Sequence, residues 1–268
     1  MTLDNSVLSQ DDAPALPSAS DTGLAGWRGV VKVMTRPQPV TLPMVALFAI
    51  IPLYLYIGAL AEGRILHVPE LALDRALPVE PAWSLVYGSL FLAAFLPVFV
   101  VHQQELVRRT VNAFLAIWLF SYACFLVYPT IGSRPEEHVG AGFADWGLRL
   151  IYSVDHPYNC FPSLHVAQCF LAALACYRVH RGVGAVACVW AFLVGVSTLY
   201  TKQHYVLDAI AGAVIGYVAY AVFLRSYPHD AVPALERRLA PVLALGAVGI
   251  YALFVGIYWI LYLMGVEP

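Results

Sequence analysis

The segment NCFPSLHVAQ, residues 159–168, sets a proline, a serine and a histidine at the head of an apolar run that continues to residue 179. Such a run reads as one membrane-crossing helix in a series, and a histidine at its mouth is a polar group placed where polar groups are expensive. The composition of the chain supports this reading. Of its 268 residues 60% are hydrophobic and only 12% charged, against roughly 25% charged in ordinary soluble domains. The formal net charge of -2 and the lack of any basic stripe argue against a nucleic-acid partner.

Working outward from residue 163, apolar stretches fall at about 43–61, 83–101, 110–128, 163–179, 183–201, 205–224 and 240–264, seven in all. Lipid offers no partner to backbone N–H and C=O groups, so each stretch is expected to be an α-helix; none alternates like a barrel strand. The fold class is therefore all-α, a polytopic membrane helical bundle. Gly212 and Gly216 in AIAGAVIGYVAY supply small residues of the kind that let helices approach closely. The expected organisation is a disordered cytoplasmic tail at 1–27, a membrane-embedded core at 28–228 and a C-terminal seventh span within 229–268. The tail holds Asp4, Asp11, Asp12 and Asp21, with no Lys or Arg before position 28, so it lacks the basic start of a signal peptide.

Counting Lys and Arg on alternate sides gives ten on the side of Arg28, Arg108, Arg178 and Arg237, and five on the other. The bias puts the N-terminus in the cytoplasm and the long loop 129–162 outside. Within that loop GFADWGLRLIYSV places Phe143, Trp146, Leu150, Ile151 and Val154 on one helical face, the pattern of a short helix lying in the outer interface. Cys124, Cys169, Cys176 and Cys188 lie in apolar runs and Cys160 in a loop, so no intrachain disulfide is expected.

Three polar clusters stand at the ends of spans: YPTIGSRPEEH with Arg134, FPSLH with Ser163 and His165, and STLYTKQHYVLD with Lys202, His204 and Asp208. Counting spans brings all three to one membrane face. Each has a plain structural reading: Ser163 as a helix N-cap, Arg134 and Lys202 as interface anchors, His204 with Asp208 as a polar staple. Together they form a set suited to phosphoryl transfer, since an imidazole can attack phosphorus, a second can protonate the leaving oxygen, and cations and a hydroxyl can neutralise the other oxygens. In a helix starting near His204, Asp208 lies one turn on, where its carboxylate would accept from one ring nitrogen and free the other.

These residues resemble the type 2 phosphatidic acid phosphatase superfamily, whose signatures are Lys-x6-Arg-Pro, Pro-Ser-Gly-His and Ser-Arg-x5-His-x3-Asp. Here the second reads PSLH at 162–165 and the third STLYTKQHYVLD at 197–208, and the likeness covers roughly residues 110–225. The first is reduced to Arg134-Pro135, with Val127 at the lysine position; Leu164 replaces the glycine and Thr198 the arginine. Those departures look like the inositol phosphorylceramide synthase-like branch. The resemblance implies a six-helix core plus one extra span, and an integral-membrane enzyme acting on a lipid phosphate or phospholipid head group. It implies His204 as nucleophile through a phosphohistidine, Asp208 orienting it and His165 as acid, with Arg134, Ser163 and Lys202 on the phosphate oxygens. Lys202 is expected to replace one lost cation. No cofactor or metal is expected, and the partners are membrane lipids. The implied setting is a bacterial inner membrane with the site at the outer, periplasmic face. Water as acceptor gives a phosphatase and a lipid alcohol a head-group transferase. The rival reading is a small transporter relaying protons along His165, His204 and Asp208, which requires ionisable groups at mid-membrane depth.

Overall fold

With no water in hydrocarbon to satisfy the backbone, only structures that pair their own N–H and C=O groups are stable there, and helices account for every named element among the described residues. A computed structural model describes residues 51–135 and 140–268, which lie in one compact unit, Arg36–Pro268. The tail at 1–27, the first part of the span at 43–61, and Glu136, Glu137 and His138 of the first polar cluster fall outside the described residues.

In chain order the helices are α1 Ile51–Ala59, α2 Ala72–Ala76, α3 Trp83–Gly88, α4 Leu90–Val100, α5 Gln104–Val127, α6 Phe143–Val154, α7 Leu164–Val179, α8 Arg181–Tyr200, α9 Val206–Phe223 and α10 Ala234–Leu263. Among the described residues, five segments are long and apolar enough to cross a membrane: Trp83–Val100, Gln104–Val127, Arg181–Tyr200, Val206–Phe223 and Ala234–Leu263. The protein is an integral-membrane, all-α bundle. Helix α7 is shorter, at 16 residues, and sits at the centre against α4, α5, α8 and α9. Its Ala167, Cys169, Leu171, Ala172, Ala175 and Cys176 are buried on every side, as befits a helix apolar all round.

The boundaries differ from the apolar windows for local reasons. Helix α5 begins at Gln104 rather than 110, because Glu105 pairs with Arg108 at 2.9 Å and Arg109 at 2.7 Å and continues the helix past the apolar stretch. The span expected at 83–101 is two helices joined at Ser89, whose hydroxyl donates to the Val86 carbonyl and accepts from Trp190 Nε1 at 2.8 Å. Helix α6 lies on α3 with Trp146 and Leu148 buried. The far end of α10 packs on it: Phe143 meets Trp259 edge-on at 4.8 Å and Trp146 Nε1 donates to the Val266 carbonyl at 2.6 Å.

Helix α9 approaches α7 backbone to backbone. A Cβ on Gly212 would stand 2.3 Å from the Ser163 carbonyl oxygen, and one on Gly216 2.6 Å from that of Ala167. No side chain fits there without moving a helix. We expect Gly212→Val to cost about 1–3 kcal/mol by overpacking, read as a lower unfolding temperature in detergent. Gly246→Ala, inside α10 with nothing within 4 Å of the added carbon, should not destabilise, and helix propensity favours it by up to about 1 kcal/mol. Equal effects at the two positions would contradict this packing.

Candidate active site

The close α7–α9 contact brings the second and third polar clusters together. Ser163 caps α7, its hydroxyl accepting from Val166 N at 3.3 Å, and its own N–H donates to the Asp208 carbonyl at 3.0 Å. His165 then opens the first turn of α7 and faces His204, which precedes α9. His165 Nδ1 and His204 Nε2 are 3.0 Å apart, with ring centroids at 5.3 Å. The first cluster joins them through Arg134, whose Nη2 donates to Gln203 Oε1 at 2.5 Å and whose Nη1 donates to the Asp155 carbonyl at 2.5 Å. Its guanidinium also lies over the Tyr152 ring, 4.8 Å from the centroid.

His204 is fixed from behind, though not by the bond expected from its spacing to Asp208. Its Nδ1 is 3.0 Å from the Cys160 carbonyl oxygen, and Asp208 Oδ2 is farther, at 3.6 Å. A carbonyl only accepts, so Nδ1 carries the hydrogen and Nε2 of the neutral ring presents a lone pair toward His165. Asp208 instead accepts from Tyr205 N at 2.8 Å, capping α9 because the helix starts at Val206 and places Asp208 in its first turn. The carboxylate still stands beside the ring, where it stabilises positive charge on it.

Lys202 goes elsewhere. Its ammonium donates to the carbonyls of Asp74 at 2.9 Å and Leu77 at 2.7 Å, bonds that aim it at the end of α2 and not at the imidazole pair. Asp74 returns the contact, its Oδ1 accepting from Val206 N at 2.8 Å. Helix α2 thus clamps the turn that carries His204. Lys202, expected on the phosphate, here ties the turn before α9 to α2, a contact set by two backbone carbonyls that no side-chain motif could announce.

Two donors near Arg134 and His204 are buried without a hydrogen-bond partner among the described residues: Arg134 Nε and Gln203 Nε2. Buried donors without partners are uncommon and suit an anion. Gln203, adjacent to the candidate nucleophile, was legible only as one letter of the third motif. Asp155 was also missed; its Oδ2 lies 4.0 Å from His165 Nε2.

Cys160 sulfur, a His204 nitrogen and an Asp208 oxygen lie within 4.8 Å of one another, a set that could hold a metal ion. Burial, with the nearby Asp208 charge second, pushes the Cys160 thiol up, so it stays protonated and is a poor ligand. Burial likewise raises the Tyr152 hydroxyl to about 12, leaving it a neutral donor to the Thr201 carbonyl at 2.8 Å. All five cysteines are free thiols.

His165 lines a cleft of ≈ 360 Å³ whose walls are almost wholly apolar, including Phe91, Ala94, Val98, Phe114 and Trp118. Leu150, Ile151 and Val154 of α6 face it, as does Tyr258 of α10. Of the amphipathic face read from the loop sequence, Leu150, Ile151 and Val154 line this cleft while Phe143 and Trp146 pack on the last span, which closes part of it.

Comparison with known proteins matches the PAP2 superfamily over residues 65–222, more than half the chain. The chain belongs to the PAP2 superfamily. Among curated proteins it is 25% identical over 118 residues to a PA-phosphatase related-family protein of Dictyostelium discoideum, covering 38% of this chain and 21% of that one. It is 28% identical over 103 residues to an uncharacterized protein of Methanocaldococcus jannaschii, covering 38% and 41% respectively. It is 36% identical over 92 residues to the bacitracin transport permease protein BcrC of Bacillus licheniformis, covering 31% and 45%. The chain spans less than half the length of these relatives. No solved structure matches it. At the PAP2 lysine position Val127 is 81% exposed on the bundle surface, and at the arginine position Thr198 is fully buried and donates to the Gly195 carbonyl at 2.7 Å.

We expect Lys202→Met to cost about 1–3 kcal/mol of stability through its lost carbonyl bonds. With a phosphate ester as substrate, KM should stay within about twofold. A rise in KM of about tenfold at unchanged stability would return the ammonium to the substrate.

Proposed function

We propose that this PAP2-family chain is an integral-membrane phosphoryl-transfer enzyme that removes the phosphate of an apolar-tailed lipid. The observation that carries the reading is the 3.0 Å imidazole pair at the mouth of the apolar cleft. His204 Nε2 is the nucleophile, Asp208 stabilises its developing charge, and His165 protonates the leaving oxygen. Arg134, Gln203 and the Ser163 hydroxyl serve the remaining oxygens. A phosphoryl group needs more room than the 3.0 Å between attacking and proton-giving nitrogens, so binding substrate separates the two rings. Their hydrogen bond is a resting contact that the phosphate replaces.

The lipid tail occupies the cleft. Its lining along α3 and α4 runs from Tyr87 to Val98, about 16 Å of helix at 1.5 Å per residue. The site faces the outer side of the membrane, with the N-terminus inside, as the Lys and Arg bias supports. Water as acceptor completes a lipid phosphatase. The FPSLH and TKQHYVLD motifs also fit head-group transfer to a lipid alcohol by the same phosphohistidine, and release of free phosphate with and without an added alcohol separates the two.

Brief exposure to a radiolabelled lipid phosphate followed by acid-sensitive trapping should label His204. His204→Ala should abolish the label, and a label elsewhere or none at all overturns the mechanism. Filling the cleft by Ala94→Trp should raise KM for a long-tailed phosphate about tenfold and leave a short, water-soluble ester unchanged. Equal effects on both would move the tail out of the cleft.

A further inference from the structure

Asp155 ends helix α6 outside every motif, yet its carboxylate is held by two tyrosines from separate helices. Tyr54 of α1 donates to Oδ1 at 3.3 Å and Tyr87 of α3 donates to Oδ2 at 3.2 Å. The same two rings meet His165 edge-on, with centroids at 6.1 and 5.7 Å and planes at 67° and 66°. His165 is therefore confined by the aromatic edges whose hydroxyls fix the carboxylate facing its Nε2 at 4.0 Å.

The hydrogen-bond chain dictates where protons sit. The Cys160 carbonyl puts hydrogen on His204 Nδ1, so His204 Nε2 accepts and His165 Nδ1 must donate. A neutral His165 would then turn the lone pair of Nε2 toward a carboxylate, and two acceptors facing one another in a low-dielectric pocket repel. A proton held between Nε2 and Asp155 removes the conflict. The 4.0 Å separation is longer than a hydrogen bond, as resting catalytic contacts often are before substrate tightens them.

We propose that Asp155, braced by Tyr54 and Tyr87, is the positioning residue of His165, holding hydrogen on Nε2 so that the ring offers its Nδ1 hydrogen to the leaving oxygen. This rests on the phosphoryl-transfer reading above. As His204 Nε2 bonds to phosphorus and the P–O bond breaks, the departing oxygen takes the Nδ1 proton. His165 is left neutral, with hydrogen on Nε2 facing Asp155. In the second half-reaction a water oxygen attacks phosphorus, its proton passes to His165 Nδ1, and the P–N bond to His204 breaks. Each histidine thus has its own carboxylate, Asp208 behind the nucleophile and Asp155 behind the acid.

The test compares two substrates in the full-length protein, a long-chain alkyl phosphate and a 4-nitrophenyl phosphate ester. Only the alkyl leaving group needs a proton. Asp155→Asn should lower kcat/KM on the alkyl ester about 10²-fold and kcat/KM for 4-nitrophenol release less than about threefold, because kcat/KM covers only the steps up to departure of the leaving group, before His165 is needed to take the proton of water. Should that variant fail to fold, Tyr54→Phe with Tyr87→Phe is expected to show the same selective loss, about tenfold on the alkyl ester alone. Equal losses on both esters, or none, overturn the assignment. A second readout needs no turnover: ¹⁵N NMR of His165 should find hydrogen on Nε2 in the parent and its loss in Asp155→Asn. A parent that cleaves neither ester sinks the phosphoryl-transfer reading. In that event the NMR result alone decides, and an Nε2 without hydrogen in the parent overturns the assignment.

Discussion

The contact between α7 and α9 is the constraint on which the rest of the molecule depends. With Gly212 over the Ser163 carbonyl and Gly216 over that of Ala167, the two backbones meet without side chains between them. That closeness lets the Ser163 N–H donate to the Asp208 carbonyl at 3.0 Å and sets the residues just before each helix side by side. His165 and His204, 39 positions apart in sequence, become hydrogen-bonded neighbours as a consequence. Small residues give this packing its strength in lipid, where the hydrophobic effect does not drive helices together.

Around this contact, polar groups are satisfied mostly by backbone atoms. Cys160 offers its carbonyl to His204, Asp155 offers its carbonyl to Arg134, and Asp74 and Leu77 offer theirs to Lys202. Backbone partners are rigid, so the side chains they hold are preorganised before substrate arrives. The opposite end of the bundle uses the same device with different residues. Arg178 donates to the Tyr227 carbonyl, and His229 Nδ1 lies 2.9 Å from the Arg178 carbonyl oxygen.

Much of this was legible in the sequence because hydrocarbon imposes few solutions. Apolar length gave the helices, and counting them placed Arg134, His165 and His204 at one end, where the structure joins them through Gln203 and the imidazole pair. The amphipathic face at 143–154 was also readable, since its period is that of a helix with one wet side. What escaped reading depended on backbone geometry. The Cys160 carbonyl supplants Asp208 as the partner of His204 because α9 starts two residues past His204. Lys202 turns to α2, a five-residue helix too short to leave a periodic signal. Asp155 gains its place from Tyr54 and Tyr87, tyrosines in apolar stretches that read as ordinary span residues.

The central claim is that a phosphoryl group lodges between the two imidazoles. The most direct measurement is an experimental structure with orthovanadate, which takes the trigonal-bipyramidal shape of phosphorus in transfer. The account predicts vanadium bonded to His204 Nε2, an apical oxygen at His165 Nδ1, equatorial oxygens near Arg134, and the rings parted from their resting 3.0 Å. Vanadate bound elsewhere, with the imidazole pair still in direct contact, would contradict it.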